Sequence, residues 1–84
     1  MTLPTKPLTI TYYAILREQR GLSEESLESA AATPGELYED LRAAHGFSLT
    51  SHQLKVVIND AFQPWDTPLN AGDHVVFIPP VAGG

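Results

Sequence analysis

Apolar and polar residues alternate near the start of the chain. In the segment LTITYYA, residues 8–14, the side chains of Leu8, Ile10 and Tyr12 fall on one side of an extended backbone, and the residues between them fall on the other. This period of two predicts a β-strand that buries one face. The polar residues 17–21 predict a short turn that leads out of the strand.

Three further segments are predicted to be strands. Residues 24–30, EESLESA, carry a weaker signal and would pair with the first strand as a hairpin, although their Glu and Ala content also favours a helix. Residues 54–59, LKVVIN, form a short apolar run that ends in a turn at Asn59 and Asp60. Residues 74–79, HVVFIP, are ended by a proline pair, because proline cannot donate a hydrogen bond to a sheet.

One helix is marked at both ends. Thr33 stands at its N-cap position and Pro34 at its first helical position. Glu36 completes a capping box, in which each of the two side chains accepts a hydrogen bond from the backbone N–H of the other residue. Gly46 supplies the residue that ends the helix. The apolar residues in between share one face: Leu37, Leu41 and Ala44.

These elements predict an α+β domain in the order ββαβ(β)β. One main helix would pack on one face of a mixed sheet of about four or five strands. The first and last strands are predicted to be parallel neighbours in the centre of the sheet. Residues 1–7 would form a flexible N-terminal extension, residues 8–80 the domain, and residues 81–84 a flexible diglycine tail.

Charge and composition remove several classes of function. Five Lys and Arg against ten Asp and Glu give a net charge of −5, whereas nucleic-acid binding depends on cations that neutralise phosphates. The absence of cysteine excludes a disulfide framework, a zinc–cysteine site and a cysteine nucleophile. No apolar run approaches the ~20 residues that span a bilayer. We therefore expect a cytoplasmic protein that binds neither nucleic acid nor membrane.

The other chemistry-bearing side chains form no recognisable site. His45, His52 and His74 are separated by 7 and 22 residues, which is not a metal-ligand spacing, so no metal is expected. The acidic residues of the second predicted strand are interpreted as a solvated face rather than as a catalytic pair.

The diglycine at the end of the sequence has a physical interpretation as a reactive terminus. Gly83 and Gly84 lack Cβ, so they can enter a narrow channel and adopt any φ that an active site requires. Pro79 and Pro80 stiffen the approach to them. The terminal carboxylate is unhindered and open to activation as an acyl adenylate. An inert, frayed terminus is the alternative interpretation.

The same residues carry a resemblance to a known family. The ending FIPPVAGG, residues 77–84, is similar to that of the small subunits of molybdopterin synthase, a family of ubiquitin-like β-grasp sulfur carriers. The segment YYAILRE, residues 12–18, resembles that family's first strand and the turn after it. Shorter similarities recur at three places: Asn59-Asp60, residues 66–69 and Gly72-Asp73. Together they extend over residues 8–84.

The resemblance implies a sulfur carrier of molybdenum cofactor biosynthesis. In that family an E1-like enzyme uses ATP to adenylate the terminal glycine, and a sulfur donor converts it to a thiocarboxylate. The sulfur then passes to a cyclic pyranopterin precursor. Gly84 would carry the thiocarboxylate and Gly83 would give it clearance, with no bound cofactor. The catalytic side chains are expected on the large subunit, in a heterotetramer of two small and two large subunits.

Strand parity predicts a second functional surface, on the side of the sheet that faces away from the helix. Such a surface is more apolar than a lone monomer exposes. The resemblance implies that it docks on the large subunit and on the activating enzyme. The alternative is that some of its residues are covered by the N-terminal extension or lie in the core. The predicted partner-binding residues are Tyr13, Val57, Phe62, Val76 and Ile78, with Pro79, Pro80, Val81 and Ala82 of the tail segment.

Two other functions stay open. A carrier of the same fold could serve another pathway, such as thiamine thiazole synthesis, although those relatives usually lack the Pro-Pro-Val-x-Gly-Gly ending. An interaction domain with an inert diglycine is the second alternative. No feature of the sequence supports a self-contained enzyme.

Overall fold

The computed structural model describes residues 4–80. Over that range the chain forms five strands, two α-helices and one turn of 3₁₀ helix. In chain order these elements are β1 (Lys6–Tyr12), α1 (Ala14–Arg20), β2 (Glu24–Ser29), α2 (Pro34–His45), the 3₁₀ helix (Ser51–Gln53), β3 (Lys55–Ile58), β4 (Ala61–Gln63) and β5 (His74–Ile78).

The strands form one mixed sheet in the order β2-β1-β5-β3-β4. The central pair, β1 and β5, is parallel, with a register that runs from Thr9 opposite His74 to Tyr12 opposite Phe77. The other pairs are antiparallel. The prediction of parallel first and last strands in the centre is confirmed. Residues 24–30, for which the sequence left strand and helix as alternatives, contain β2, which pairs with β1 as a hairpin.

The first strand begins earlier and ends earlier than its sequence pattern predicts. Lys6 and Pro7, which were assigned to the N-terminal extension, belong to β1. The Lys6 ammonium donates to the carbonyl of Ala31 at 2.6 Å, and the Pro7 carbonyl accepts from the N–H of Gly72 at 2.8 Å. At the other end β1 stops before residue 14, because Ala14 has a φ of +52° and opens a helix.

The predicted turn over residues 17–21 is wrong, because most of this segment is helical. Helix α1 ends at Gly21, whose φ of +83° lies in the left-handed region that glycine adopts without strain. Leu16 is the one residue of α1 that is buried. A seven-residue helix with a single buried residue produces no periodicity, so its polar sequence resembles a turn.

Glu25 is a structural residue and not part of a solvated acidic face. Two nitrogens of Arg20 donate to its carboxylate, each at 2.8 Å. The hydroxyl of Tyr12 donates to the same carboxylate at 2.6 Å. Because these bonds join β1, α1 and β2, they fix the helix against the hairpin.

The predicted helix is present as α2, with one change in its cap. The Thr33 hydroxyl accepts a hydrogen bond from the N–H of Glu36 at 3.2 Å, as a capping box requires. The Glu36 carboxylate, however, accepts from the N–H of Ala32 at 3.4 Å and not from that of Thr33. Gly46 ends the helix with a φ of +70°.

The buried face of α2 differs from its prediction at two positions. Leu37 and Leu41 are buried, but Ala44 is exposed because it lies in the last turn, at the margin of the core. Tyr38, a residue that the pattern did not include, is fully buried. Its hydroxyl donates to the carbonyl of Leu49 at 2.7 Å, which satisfies the polar group that burial would otherwise leave unpaired.

The core lies between α2 and one face of the sheet. The Tyr38 ring meets that of Phe77 at a centroid distance of 5.1 Å, and Trp65 stacks on Phe77 at 6.0 Å. Full burial of a side chain such as Phe77 contributes about 1.5–3 kcal/mol of free energy. Trp65 is only partly buried, at the margin of the core. A mixed five-stranded sheet that holds one long helix on one face is the β-grasp arrangement that the resemblance implies.

Candidate functional site

The outer face of the sheet, the side turned away from α2, carries the predicted partner-binding residues of β3 and β5. In β5 the buried residues Val75 and Phe77 alternate with side chains that are partly exposed. In β3 the exposed and partly exposed positions are Lys55 and Val57. The predicted outward orientation of Val57, Val76 and Ile78 is therefore confirmed.

The register brings apolar side chains from three strands into one row. Val57 stands opposite Val76 on one side and opposite Phe62 on the other. Phe62 is 67% exposed, which is a large apolar exposure for a soluble domain. Ile78 lies in the next row, opposite Lys55. We refer to the four residues Val57, Phe62, Val76 and Ile78 as the apolar strip.

Tyr13 lies at one end of the outer face. It follows the last registered pair of the central strands, Tyr12 opposite Phe77, and its backbone is still extended. Because Tyr12 points into the core, the next side chain points away from it, and Tyr13 is 50% exposed. The chain then turns into α1 at Ala14, and no element of residues 4–80 covers the Tyr13 side chain.

The rest of the outer face is polar. The Thr11 hydroxyl lies 2.6 Å from Nε2 of His74 and donates to the Glu24 carboxylate at 3.2 Å. Glu28, further along β2, is exposed. The face is thus divided into a polar half on β1 and β2, whose acidic residues lie on β2, and an apolar half on β5, β3 and β4.

The root of the tail lies beside the apolar strip. Pro80 is exposed, whereas Pro79 is buried. A groove of about 320 Å³ opens at this point. Its lining residues are His52, Gln53, Leu54, Lys55, Ile78, Pro79 and Pro80. The predicted site residues Val81, Ala82, Gly83 and Gly84 lie outside the described residues.

A second groove, of about 560 Å³, lies on the other side of Lys55. It runs past Phe62 and Pro64 to Trp65 at the edge of the sheet. No sequence pattern predicts either groove, because their walls come from segments that are distant in the chain. The sequence marks Lys55 only as a single lysine in an otherwise apolar strand.

The strongly perturbed groups lie away from this face. Burial and the hydrogen bond to Glu25 raise the pKa of Tyr12 above its ordinary value of 10.0. Hydrogen bonds from Arg20 hold the pKa of Glu25 below its ordinary value of 4.5. Both groups belong to the structural contact between α1 and the hairpin.

Two further properties bear on the class of site. Within residues 4–80, no three His, Asp or Glu side chains come together as a group that could hold a metal ion. No helix in that range is long and apolar enough to cross a membrane.

The fold defines the class of protein as a ubiquitin-like β-grasp domain. The sequence matches the ThiS family over residues 10–84, and the chain belongs to that family.

One curated relative and two solved structures are similar to this chain. The chain is 33% identical over 81 residues to the molybdopterin synthase sulfur carrier subunit of Haemophilus influenzae, with 92% of this chain and 99% of that protein covered. The crystal structure of SAMP1 from Haloferax volcanii has a TM-score of 0.75 at 24% identity, and covers 93% of this chain and 99% of that one. Subunits 1 and 2 of the molybdopterin-converting factor of Helicobacter pylori form a solved complex. One of its chains matches with a TM-score of 0.62 at 24% identity, covering 93% of this chain and 99% of that one.

Proposed function

We propose that this chain is the sulfur-carrier small subunit of a molybdopterin synthase. The observation that carries the proposal is the 33% identity to a protein of that name, which extends over almost the full length of both chains. The FIPPVAGG ending, residues 77–84, lies inside the part of the sequence that matches the family. The diglycine is therefore covered by the similarity and is not an addition to the fold.

The proposed chemistry takes place on the carboxylate of Gly84. An E1-like partner joins this carboxylate to AMP, with pyrophosphate leaving from ATP. A sulfur donor then displaces AMP, which leaves a thiocarboxylate. Its sulfur is ionised at neutral pH and is a softer nucleophile than oxygen, which suits transfer to a carbon centre of the pyranopterin precursor. The sulfur forms a bond to a carbon of the precursor, and the oxygen substituent at that carbon leaves. Water then cleaves the bond between the sulfur and the Gly84 carbonyl, which restores the carboxylate.

The proposal divides the reaction between two subunits. The described face of this chain offers an apolar strip for docking. We assign the catalytic side chains of the reaction to the large subunit. The solved complex of two subunits of the H. pylori converting factor supports a two-subunit assembly of this type, and we propose two copies of each subunit.

Intact-mass spectrometry tests the proposal directly. Incubation with an E1-like enzyme, ATP and a sulfur donor is expected to raise the mass of the chain by about 16 Da, the difference between sulfur and oxygen. The control is a variant extended by one residue beyond Gly84, which keeps the domain but blocks the terminal carboxylate. If the extended variant gained the same mass without being trimmed, the carrier function would be disproved.

The family match is also compatible with a carrier for another pathway, because a ThiS-family match over residues 10–84 does not by itself select the acceptor. The acceptor is tested by adding the large subunit and the pyranopterin precursor to the sulfur-loaded chain. Loss of the mass gain together with formation of molybdopterin supports the first function. A loaded chain that keeps its sulfur in this mixture would favour a different acceptor.

A further inference from the structure

Lys55 lies on the outer face at the position where two grooves adjoin. It is the first residue of β3, it is exposed, and it stands opposite Ile78, the last residue of β5. It also lines both grooves, the one at the tail root and the one that leads to Trp65. Any partner that covers the apolar strip and receives the tail must therefore cover or flank the Lys55 ammonium group.

The other cations of the chain lie elsewhere. Arg17 and Arg20 belong to α1, and Arg42 belongs to α2. The ammonium group of Lys6 is engaged by a backbone carbonyl. Lys55 is thus the sole Lys or Arg on the outer face within residues 4–80, and no ion pair engages it in that range.

The opposite side of the same face is negative. Glu24 and Glu28 are exposed on β2, and the net charge of the chain is −5. Across the sheet the order is β2, β1, β5, β3, so the acidic edge and Lys55 are separated by the two central strands. The charge of the outer face therefore changes across the sheet, from negative at the β2 edge to positive at Lys55 beside the root of the tail.

This charge difference matters because apolar contact alone does not fix the orientation of a docked partner. Burial of the strip depends on area and is non-directional, so a partner could cover it in more than one rotation. Complementary charges at a rim select among such arrangements and suppress the wrong ones. Only one rotation leads the tail, which leaves the domain at Pro80, into a partner's active site.

We propose that Lys55 is a specificity-determining residue, which sets the orientation of docking by pairing with a carboxylate of the partner. The inference rests on the proposed function and deepens it. The partner surface that fits is an apolar groove with an Asp or Glu at the end where the tail enters. Lys55 is a positioning residue and takes no part in sulfur transfer.

The experiment measures binding of the full-length chain to the large synthase subunit of the same organism. At low salt, Lys55→Met is expected to weaken binding about threefold and Lys55→Glu to slow association about tenfold, whereas Lys55→Arg restores wild-type behaviour within about twofold. These differences should shrink strongly at ~0.5 M NaCl, because salt screens a rim ion pair. With sulfur-loaded chains at saturation, Lys55→Glu should also lower the turnover rate, since misoriented complexes do not deliver the tail.

The matched control is Ala43→Glu, which changes the net charge by the same amount as Lys55→Met but lies on the exposed side of α2. It should bind like the wild type. If Lys55→Glu also bound and turned over like Ala43→Glu while Ile78→Asp lost binding, the docking face would stand and the role of Lys55 would be overturned. If the wild-type chain itself did not bind the large subunit, the proposed function would fail and this inference with it.

Discussion

Phe62 and Phe77 show how differently the same residue type is used in this domain. Phe77 is 0% exposed and packs against Tyr38 and Trp65 in the core. Phe62 is 67% exposed on β4, at the end of the apolar strip. A large apolar side chain that contributes little to its own fold is typical of an interface anchor.

We predict that Phe62→Ala separates binding from stability. The free energy of unfolding should change by less than about 0.5 kcal/mol, because little surface is buried there. Binding to the large subunit should weaken by about tenfold or more, as for an aromatic anchor in an interface. Urea unfolding and calorimetric titration measure the two effects. Phe77→Ala is the contrasting variant and should cost about 3–5 kcal/mol of stability. Unaltered binding by Phe62→Ala would remove this residue from the interface.

The Tyr12–Glu25–Arg20 contact predicts how stability depends on pH. Arg20 lowers the pKa of Glu25, so the stabilisation is present above the ordinary value of 4.5 and is lost as the pH falls through the lower folded value. Burial raises the pKa of Tyr12, so its contribution is present below 10.0 and is lost as the pH rises toward the higher folded value.

Glu25→Gln tests the acidic limb of this dependence. The variant should be less stable than the wild type at pH 7, and the difference should narrow as the pH falls below 4.5, where the wild-type carboxylate also takes up a proton. Urea unfolding at a series of pH values measures it. A difference in stability that stayed constant down to pH 2 would show that the charge of Glu25 is not what stabilises the contact.

At the scale of the elements, the β3–β4 hairpin is closed by an unusual pair of turn residues. Asn59 and Asp60 have φ values of +51° and +72°, the conformation of a type I′ turn in which Gly is favoured at the second position. The Asn59 side chain is engaged, since it donates to Asp73 at 2.8 Å and accepts from the N–H of His74 at 2.9 Å. No side-chain hydrogen bond from Asp60 is formed within residues 4–80.

These two positions should respond to glycine in opposite directions. Asp60→Gly relieves a positive φ without the loss of a side-chain contact, so it should stabilise the domain by about 0.5–1 kcal/mol. Asn59→Gly relieves a similar φ but removes two hydrogen bonds to the β5 segment, and should be destabilising by about 1 kcal/mol. Thermal unfolding of both variants measures the contrast. Equal effects of the same sign would contradict it.

The individual strands and helices show which parts of the fold the sequence predicts and which it does not. Strand β1 and helix α2 were predictable because alternation and capping are local signals, carried by residues such as Ile10 and Thr33. Helix α1 was missed because it buries only Leu16 and otherwise presents polar residues to solvent. The outward orientation of Val57 and Val76 followed from strand parity. The burial of Pro79 and the grooves beside Lys55 did not, because they depend on contacts between distant segments.

At the scale of the whole molecule, the proposed function separates two tasks between two parts of the chain. Residues 4–80 contain the hydrophobic core and the proposed docking face, and the reactive carboxylate is assigned to Gly84. A chain that ends at Pro80 should therefore retain its fold, with a melting temperature within about 2 °C of the wild type.

The truncated chain is also expected to act as an inhibitor. It should compete with the full-length chain for the large subunit through the apolar strip, and yet deliver no sulfur. With both chains at saturating concentration, a tenfold excess should lower the rate of a synthase assay about tenfold, as simple competition at similar affinity requires. Full activity in the presence of this excess would mean that the tail, and not the sheet face, provides the binding energy.

The position of β5 has a consequence for how the protein is made. The last strand fills the centre of the sheet and is the parallel partner of the first, so the two halves of the core cannot join until residues 74–78 have left the ribosome. Such long-range pairing is slow relative to local structure. An unfinished chain lacks Val75 and Phe77 of the core together with Val76 and Ile78 of the strip. An incomplete chain would therefore be unfolded and would also lack the surface that a partner binds. Only a chain translated through its last strand can compete for a partner.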